Sequence, residues 1–261
     1  ILINSKVDGT FPSHHPDPTE EKNLKQLKTN VARVHADIGI AFDGDGDRIG
    51  IIDSESKFIP GDKLLFIFAT QVIKNHPAAT IISDVKASNA ILSEINKIGG
   101  KSLMWKTGHS FIKAKMKETG ALLAGEMSGH IFFADKYYGF DDALYASIRL
   151  LDILSREKNL NKFLKRFSSL VSTPEIKIPC DDKKKFSLIQ KVTIYAKKKY
   201  NNVNFIDGIR VDTKKGWWLL RASNTQPALV VRCEAKSKDD LSHLISDIKQ
   251  ILKSNNIDNN L

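Results

Sequence analysis

Short apolar runs alternate with helical segments throughout residues 58–155, and this alternation constrains the fold more than any other feature of the sequence. Strands that alternate with helices predict a mostly parallel sheet with helices on both of its faces. Gly99 and Gly100 end one of the predicted helices, as C-terminal glycines commonly do. The predicted strands are 80–85, 102–106 and 121–124, and the predicted helices are 62–74, 88–97, 110–118 and 141–155.

The sequence predicts three domains with different patterns. Residues 1–57 are predicted to be the C-terminal part of an α/β domain, 58–169 a second α/β domain, and 170–261 a smaller α+β C-terminal domain. The fold class is therefore α/β, in several domains with mixed or parallel sheets, followed by an α+β domain. The remaining predicted elements are strands at 1–4, 36–42, 48–53, 204–212, 217–222 and 228–235, a connector at 171–179, and a helix at 239–253.

Composition and cysteine content exclude several classes of protein. Apolar residues make up 41% and charged residues 27% of the chain, which excludes a disordered or collagen-like protein. No run reaches the ~20 apolar residues of a membrane helix, and no basic and apolar signal sequence follows Ile1. Cys180 and Cys233 lie far apart, so they indicate neither a disulfide framework nor a zinc site. We expect a cytoplasmic protein with no membrane partner.

The net charge of +10 is concentrated in one stretch of the chain. Residues 156–199 contain 13 basic and 4 acidic residues, and most of the basic ones are lysines. Apolar residues at helical spacing separate these lysines, which favours two amphipathic helices with solvated lysine faces. The alternative is a basic patch that binds nucleic acid. Because the apolar spacing favours the helices, we expect no nucleic-acid partner.

The strongest functional signal is DGDGDR at residues 43–48, which directly follows an apolar run. Its glycines allow the loop to curl so that three carboxylates converge. Converging carboxylates repel one another unless a cation lies among them, and an oxygen-only ligand set favours Mg²⁺ or Ca²⁺ over zinc. A solvated acidic turn is the simpler alternative. An EF-hand is excluded, because its loop needs Gly where Arg48 stands and Glu where Ser54 stands.

Two further loops are candidates for binding a sugar phosphate. GEMSGH at 125–130 follows a predicted strand, and Glu126 and Ser128 could hydrogen-bond vicinal sugar hydroxyls at the strand's carboxyl end. RASNTQP at 221–227 joins two predicted strands, and its Arg221 offers a planar fork suited to phosphate. Each sequence on its own is also compatible with ordinary turn structure.

Two smaller clusters add polar groups at the ends of predicted strands. Lys86 in DVK (84–86) and His109 in KTGHS (106–110) could balance phosphate charge or transfer protons. A surface position or a helix cap is the simpler interpretation of each. His14 and His15 lie in a proline-rich segment, and we interpret them as loop structure.

Together these motifs resemble those of the bacterial phosphomannomutase/phosphoglucomutase group of the α-D-phosphohexomutases. DGDGDR, DVK, KTGHS, GEMSGH and RASNTQP occur here in the order of that family, and the resemblance extends from 7–12 to 230–235. Met127 and Asn224 resemble the mannose and glucose mutases, whereas phosphoglucosamine mutases usually carry Gln and Gly at these positions. A substrate choice like that of the phosphoglucosamine mutases is therefore the alternative.

The resemblance implies a four-domain mutase in which a phosphoserine exchanges a phosphoryl group with a hexose 1- or 6-phosphate. It further implies Mg²⁺ as cofactor, and a hexose 1,6-bisphosphate as activator and intermediate. The residues that it carries over are Asp43, Asp45 and Asp47 for Mg²⁺; Glu126 and Ser128 for sugar hydroxyls; Arg221, Ser223, Asn224 and Thr225 for the non-reacting phosphate; and Arg48, Lys86, His109 and His130 as catalytic residues of the cleft.

One family feature is absent from this sequence. The catalytic serine of the family lies in a Thr-x-Ser-His-Asn-Pro-like loop, and no such segment occurs here; His14 and His15 do not replace it. We therefore expect the first domain and the front of the second to be missing. The chain is expected to bind a sugar phosphate but to need that N-terminal domain for activity. A non-catalytic sugar-phosphate-binding protein is the alternative.

Overall fold

In the computed structural model, which describes residues 1–157, 159–167, 169–255 and 257, the chain divides into two units. The first unit is Ile1–Lys165 and the second begins at Arg166. The boundary expected near residue 57 lies inside the first unit, and the division into three domains stays a prediction. Among the described residues, no helix is both long enough and apolar enough to cross a bilayer.

A three-stranded antiparallel sheet forms the first part of the first unit. A short 3-10 helix (Glu21–Leu24) and helix α1 (Lys25–Val34) precede strands β1 (Ile38–Phe42), β2 (Ile49–Asp53) and β3 (Phe58–Ile59). Because Phe42 pairs with Ile49, β1 and β2 form a hairpin whose connection is the acidic loop 43–48. Residues 1–4, all of which the structure describes, form no strand, so that prediction is wrong: no described strand pairs with them.

A four-stranded sheet occupies the rest of the first unit, and all of its elements except β7, which was not predicted, lie within two residues of the predicted ones. They are α2 (Gly61–Asn75), β4 (Thr80–Asp84), α3 (Asn89–Lys97), β5 (Lys101–Trp105), α4 (His109–Thr119), β6 (Leu123–Gly125), β7 (Ile131–Phe133) and α5 (Ala143–Glu157). The strand order is β5-β4-β6-β7. β4 is parallel to β5 and β6, as predicted, and β7 adds an antiparallel edge strand.

The parallel strands of this sheet decide where the polar motifs meet. β4 ends at Asp84, β5 at Trp105 and β6 at Gly125, and each of these strands leads into one of the sequence motifs. Carboxyl ends of parallel strands lie at one edge of a sheet. The three loops that follow them therefore come together there.

The second unit is built on an antiparallel sheet. After α6 (Asn161–Leu164) and a 3-10 helix (Lys165–Phe167) come β8 (Val171–Ser172), β9 (Ile176–Pro179), α7 (Asp182–Lys199), β10 (Val203–Asn204), β11 (Ile209–Asp212), β12 (Gly216–Ala222), β13 (Ala228–Ala235) and α8 (Lys238–Ser254). The strand order is β10-β11-β12-β13-β8, and β9 also pairs with β13. The core of this unit includes Trp218 and Leu220 of β12, Val192 of α7 and Ile248 of α8.

Three predictions for the second unit and its approach are wrong. The single strand expected at 204–212 is interrupted, because β10 ends at Asn204 and β11 begins at Ile209. Residues 171–179 are not a connector, because β8 and β9 pair antiparallel with β13 on either side of Pro174. Only one long lysine-rich helix forms in the described part of 156–199, since 161–167 make only α6 and a 3-10 turn. On α7 the lysines are exposed as predicted, except for Lys185, which is buried.

Candidate functional site

Asp43 shapes the hairpin loop between β1 and β2. Its Oδ1 accepts the backbone N–H groups of Gly46, Asp47 and Arg48 at 3.0, 3.1 and 3.1 Å, and its Oδ2 accepts Nε of Arg48 at 2.7 Å. Burial alone would raise the pKa of Asp43, but the hydrogen bonds from Arg48 hold it below its usual value. Asp43 is therefore an ionised carboxylate around which the loop folds.

The three aspartates of this loop form one ligand set. One oxygen from each of Asp43, Asp45 and Asp47 lies within 4.8 Å of the others. Burial, a hydrogen bond with Asp43 and the charges of Asp43 and Asp45 raise the pKa of Asp47 to about 6. A bound divalent cation relieves this kind of repulsion, and an all-oxygen set suits a hard ion. The residues present therefore fit Mg²⁺.

Arg48 is held on its other side by Asp17. Its Nη1 lies 3.3 Å from Oδ1 of Asp17, whose carboxylate also accepts the N–H and the hydroxyl of Thr19. Burial would raise the pKa of Asp17, but Thr19 and Arg48 together lower it. Sequence analysis missed Asp17; its place between Pro16 and Pro18, close to the two histidines, is the signal that could have marked it.

The acidic hairpin is joined to the 125–130 loop through Gly129. The backbone N–H of Ile49 donates to the carbonyl of Gly129 at 3.0 Å, and Arg48 and His130 form an isolated antiparallel bridge. Gly129 has φ +89°, and a Cβ there would lie 2.6 Å from the carbonyl oxygen of Ile49. Only glycine allows this approach, which brings His130 next to the acidic loop.

Glu126 and Ser128 both contact the imidazole of His130. Glu126 is 1% exposed, and its Oε1 accepts the N–H of Gly108 at 2.5 Å. Its Oε2 lies 3.1 Å from Nδ1 of His130. Oγ of Ser128 lies 2.9 Å from the same nitrogen. Burial opposes charge on both partners, yet the pKa of Glu126 is lowered by His130 and that of His130 is raised by Glu126. The two form a buried ion pair.

Asp84 links the three loops at the edge of the parallel sheet. Its Oδ2 lies 3.4 Å from Nζ of Lys86, 3.5 Å from the hydroxyl of Thr107 and 3.4 Å from the N–H of Met127. Lys86 is only 4% exposed, so the candidate cation of the DVK motif is held inside the site and not on the surface. Sequence analysis named the motif but assigned Asp84 no role; its position as the last residue of β4 was the available signal.

His109 begins α4 and lies at the exposed side of the site. Its side chain is 54% exposed, and its ring stacks on that of His130 with the centroids 5.8 Å apart. Its Nδ1 lies 3.5 Å from Oδ2 of Asp141 and 3.2 Å from Nζ of Lys113. Asp141 and Lys113 were not singled out from the sequence, where they read as ordinary helical or helix-start residues.

The Arg221–Pro227 loop of the second unit has a different construction. Arg221 is 4% exposed; its Nε donates to Oδ2 of Asp207 at 3.0 Å, and its Nη2 has no hydrogen-bond partner within the described part of the chain. Ser223 is buried and its Oγ accepts the N–H of Gln226, whereas Asn224 and Thr225 are exposed. A buried guanidinium nitrogen without a partner suits an anion.

Lys185 supports this loop from helix α7. Its buried Nζ donates to the carbonyl of Gln226 at 3.0 Å and pairs with Asp182 at 2.6 Å. From the sequence it was one of several lysines on a solvated helix face, and that interpretation is wrong for Lys185. The tertiary contact to a loop 41 residues away is what buries it.

Nearly the whole chain is similar to one family of known proteins. Models of phosphoglucomutase/phosphomannomutase domains match nearly all of it: α/β/α domain II at residues 1–56, α/β/α domain III at 60–170 and the C-terminal domain at 175–251. The chain belongs to the phosphoglucomutase/phosphomannomutase family of α-D-phosphohexomutases. It corresponds to the C-terminal portion of these proteins, and its mixed α/β fold is the one expected.

Individual relatives of this chain agree with the family models. A phosphomannomutase/phosphoglucomutase of Pseudomonas aeruginosa is 47% identical over 255 residues, which are 97% of this chain and 55% of that protein. A phosphoglucomutase of Neisseria meningitidis is 43% identical over 251 residues, 95% of this chain and 55% of the relative. The chain thus spans about half the length of these curated relatives.

A solved structure gives the same result for the phosphohexomutase fold. The crystal structure of a phosphoglucomutase/phosphomannomutase family protein from Burkholderia thailandensis superposes with a TM-score of 0.89 at 43% identity. The match covers 98% of this chain and 55% of that one.

Proposed function

We propose that this chain is part of a phosphohexomutase that interconverts hexose 1-phosphate and hexose 6-phosphate, with mannose, glucose or both as the hexose. The observation that carries the proposal is the convergence of four motif-bearing loops within the first unit. Glu126 reaches Gly108, Asp84 reaches Met127, and His130 reaches Asp47. Carboxylates, a buried lysine and two imidazoles in one place support phosphoryl transfer to a polyhydroxylated substrate.

Asp43, Asp45 and Asp47 would hold Mg²⁺. Bound there, the ion would draw charge from the phosphoryl group during transfer. Arg48, fixed between Asp43 and Asp17, places a guanidinium beside the same loop, where it would contact the phosphoserine or the transferring phosphate.

The proton chemistry falls to the imidazole of His130. An attacking sugar hydroxyl must lose its proton as it accepts a phosphoryl group, and a leaving hydroxyl must gain one. Glu126 engages Nδ1 of His130, which leaves Nε2 to exchange the proton on the side of Asp47. Lys86 and His109 would balance phosphate charge, and Ser128 together with Glu126 would bind sugar hydroxyls.

In the second unit, Arg221, Ser223, Asn224 and Thr225 would grip the phosphate that does not react. Nη2 of Arg221 supports this role, since it is buried without a hydrogen-bond partner among the described residues. Binding energy from a distal phosphate positions the reacting end of the sugar. The same grip would serve both orientations of a 1,6-bisphosphate.

The phosphoryl donor of the proposed reaction is a phosphoserine that this sequence does not contain. The serine would give its phosphoryl group to a hexose monophosphate, and the resulting 1,6-bisphosphate would return its other phosphoryl group to the serine. The chain alone is therefore expected to be inactive and to need the N-terminal domain of its family. Sugar-phosphate binding without turnover is the second candidate function.

A ³¹P NMR experiment tests the proposal. Mannose 1-phosphate is mixed with the purified chain, Mg²⁺ and a trace of glucose 1,6-bisphosphate, with and without the N-terminal part of the P. aeruginosa relative. We expect line broadening without product from the chain alone, and mannose 6-phosphate once the second polypeptide is added. Product from the chain alone would contradict the missing nucleophile, an unchanged spectrum would contradict binding, and broadening without product in both samples would favour the second candidate function.

A further inference from the structure

A mixed cluster of carboxylates and imidazole lies beside the acidic loop. Nε2 of His130 lies 3.4 Å from Oδ2 of Asp47 and 4.0 Å from Oδ2 of Asp141, and one ligand atom from each of these residues lies within 4.8 Å of the others. Ligand atoms of a tetrahedral ion with bonds of about 2.0 Å are about 3.3 Å apart. The His130–Asp47 separation is thus already close to that around such an ion, and the His130–Asp141 separation would have to shorten by about 0.7 Å.

Asp141 points an unsatisfied oxygen into this cluster. The residue is 9% exposed, and its Oδ1 accepts Nζ of Lys113 at 2.9 Å. Its Oδ2 is fully buried and accepts no hydrogen bond from any residue that the structure describes. Lys113 holds the other oxygen of this carboxylate, and Oδ2 faces two imidazoles, with Nδ1 of His109 at 3.5 Å and Nε2 of His130 at 4.0 Å. A buried carboxylate oxygen that makes no hydrogen bond is stabilised only by longer contacts to the two imidazoles, so a ligand that binds it directly is favoured.

His130 is oriented in the way that protein-bound metal ions require. Its Nδ1 contacts the buried carboxylate of Glu126 and the hydroxyl of Ser128, so that Nε2 faces Asp47 and Asp141. A carboxylate on the far nitrogen of an imidazole fixes the ring and strengthens the near nitrogen as a ligand. The cluster thus has three candidate ligands and a second layer of contacts around one of them.

We propose that Asp47, His130 and Asp141 form a second cation site, which binds a borderline divalent transition-metal ion of the Zn²⁺ class. Imidazole with carboxylates suits Zn²⁺ and Co²⁺, whereas the three-aspartate loop suits Mg²⁺ and Mn²⁺. Asp47 belongs to both sets, so ions of the two classes compete for it. The site shares Asp47 and His130 with the proposed mutase chemistry, so an ion bound there would block proton exchange at Nε2 of His130. Three protein ligands leave one position for water or an anionic oxygen.

Three substitutions separate the two sites in the whole chain. Asp141→Asn changes only the mixed site, Asp45→Asn only the three-aspartate loop, and Asp47→Asn both. We expect Asp141→Asn to weaken Zn²⁺ binding at least about tenfold and to leave Mn²⁺ binding within about twofold. Asp45→Asn should weaken Mn²⁺ binding and leave Zn²⁺ binding nearly unchanged. Asp47→Asn should weaken the binding of both ions. Isothermal titration with each ion measures this, and Asp37→Asn, on an exposed carboxylate, is the matched control.

A measurement on the unmodified chain keeps the test independent of variant folding. Co²⁺ added to the Mg²⁺-free chain should give paramagnetically shifted ¹H signals from the ring of His130, and Zn²⁺ should remove them. The proposal is overturned if no such signals arise. It is equally overturned if Asp45→Asn lowers Zn²⁺ affinity as much as Mn²⁺ affinity while Asp141→Asn lowers neither, because Zn²⁺ would then occupy the aspartate loop.

Discussion

Two β-hairpin loops of this chain share a backbone topology and differ in chemistry. The loop 43–48 connects β1 to β2, and the loop 223–227 connects β12 to β13, in each case between antiparallel strands. The first loop carries three carboxylates, whereas the second carries no charged residue. In the second hairpin the charge belongs to Arg221, which lies within β12 and is 4% exposed.

The comparison shows two ways in which a hairpin can prepare an ion site. The first loop turns its own N–H groups inward onto Asp43, so its other carboxylates are left for a cation. The second loop is neutral and lies next to a buried guanidinium whose Nη2 has no hydrogen-bond partner in the described chain, which suits an anion. The sign of the charge, carboxylate on the first loop and guanidinium on strand β12, decides the sign of the ligand.

The largest loss of stability is expected at Asp43, whose carboxylate both holds the loop together and belongs to the candidate metal-ligand set. Asp43→Ala leaves three backbone N–H groups and Nε of Arg48 without their acceptor, and should destabilise the first unit by about 3 kcal/mol. Asp45→Ala, at an exposed position, should cost less than about 0.5 kcal/mol. Both should weaken Mn²⁺ binding. Urea unfolding and Mn²⁺ titration check this, and equal stability of the two variants would contradict the scaffold role of Asp43.

The next largest loss of stability is expected at Gly129, in comparison with Gly46; both glycines have positive φ. At Gly46 (φ +77°) a Cβ meets no atom of the described residues within 4 Å, so Gly46→Ala should cost only about 1 kcal/mol of backbone strain. At Gly129 the Cβ would meet the Ile49 carbonyl at 2.6 Å, so Gly129→Ala should cost about 2–3 kcal/mol and displace His130. Thermal unfolding followed by circular dichroism measures both. If Gly46→Ala is as unstable as Gly129→Ala, then backbone strain at positive φ alone sets the cost of both substitutions, and the contact with the Ile49 carbonyl adds nothing.

A smaller effect is expected from the anion-binding hairpin. Arg221→Lys keeps the charge but loses the planar fork, so it should weaken the binding of mannose 1-phosphate about tenfold, or about 1.4 kcal/mol. Arg33→Lys, on an exposed position of α1, is the control with the same chemistry. Calorimetric titration of both variants measures the difference. If the Arg221 variant binds mannose 1-phosphate with unchanged affinity, the proposed phosphate-binding role of this hairpin is contradicted.

The smallest effect concerns the cysteine inside the second hairpin. Burial raises the pKa of Cys233 on β13 from its ordinary value of 9.0 to about 12. The unfolded chain therefore loses this proton first, so the stabilisation is complete below pH 9 and is lost as the pH rises towards 12. At pH 10 this thiol should cost about 1 kcal/mol of stability.

Cysteine labelling and unfolding measure this pH effect. At pH 8, iodoacetamide should label the partly exposed Cys180 and not Cys233. Urea unfolding between pH 8 and 10.5 should show a shallower loss of stability in Cys233→Ala than in the unmodified chain. Parallel pH profiles, or early labelling of Cys233, would argue against a buried neutral thiol.

The elements that follow from local periodicity could be predicted from the sequence. The helices at 62–74 and 88–97 were placed within two residues of α2 and α3, because apolar spacing and capping residues act over one or two helical turns. Short strands could not be placed in this way. β8 and β9 exist because β13 offers them partners, whereas residues 1–4 meet no described partner strand.

In the candidate sites, too, the local motifs could be predicted from the sequence and the long-range contacts could not. Asp84, Asp141 and Lys185 were missed because each acts on a group far along the chain, at separations of 43, 28 and 41 residues. Such contacts depend on which strand ends and helix faces meet in space. No local pattern records them, although the motifs that they support were visible.

The sequence by itself determined the kinds of ligand atoms in each motif and the family to which their order belongs. Only the tertiary structure decided which of those groups are buried, paired or left without a partner. The physical reason is that the charge state of Asp47 or His130 depends on desolvation and on neighbours brought together by folding. The same carboxylates in an unfolded chain would be separate, solvated and equivalent.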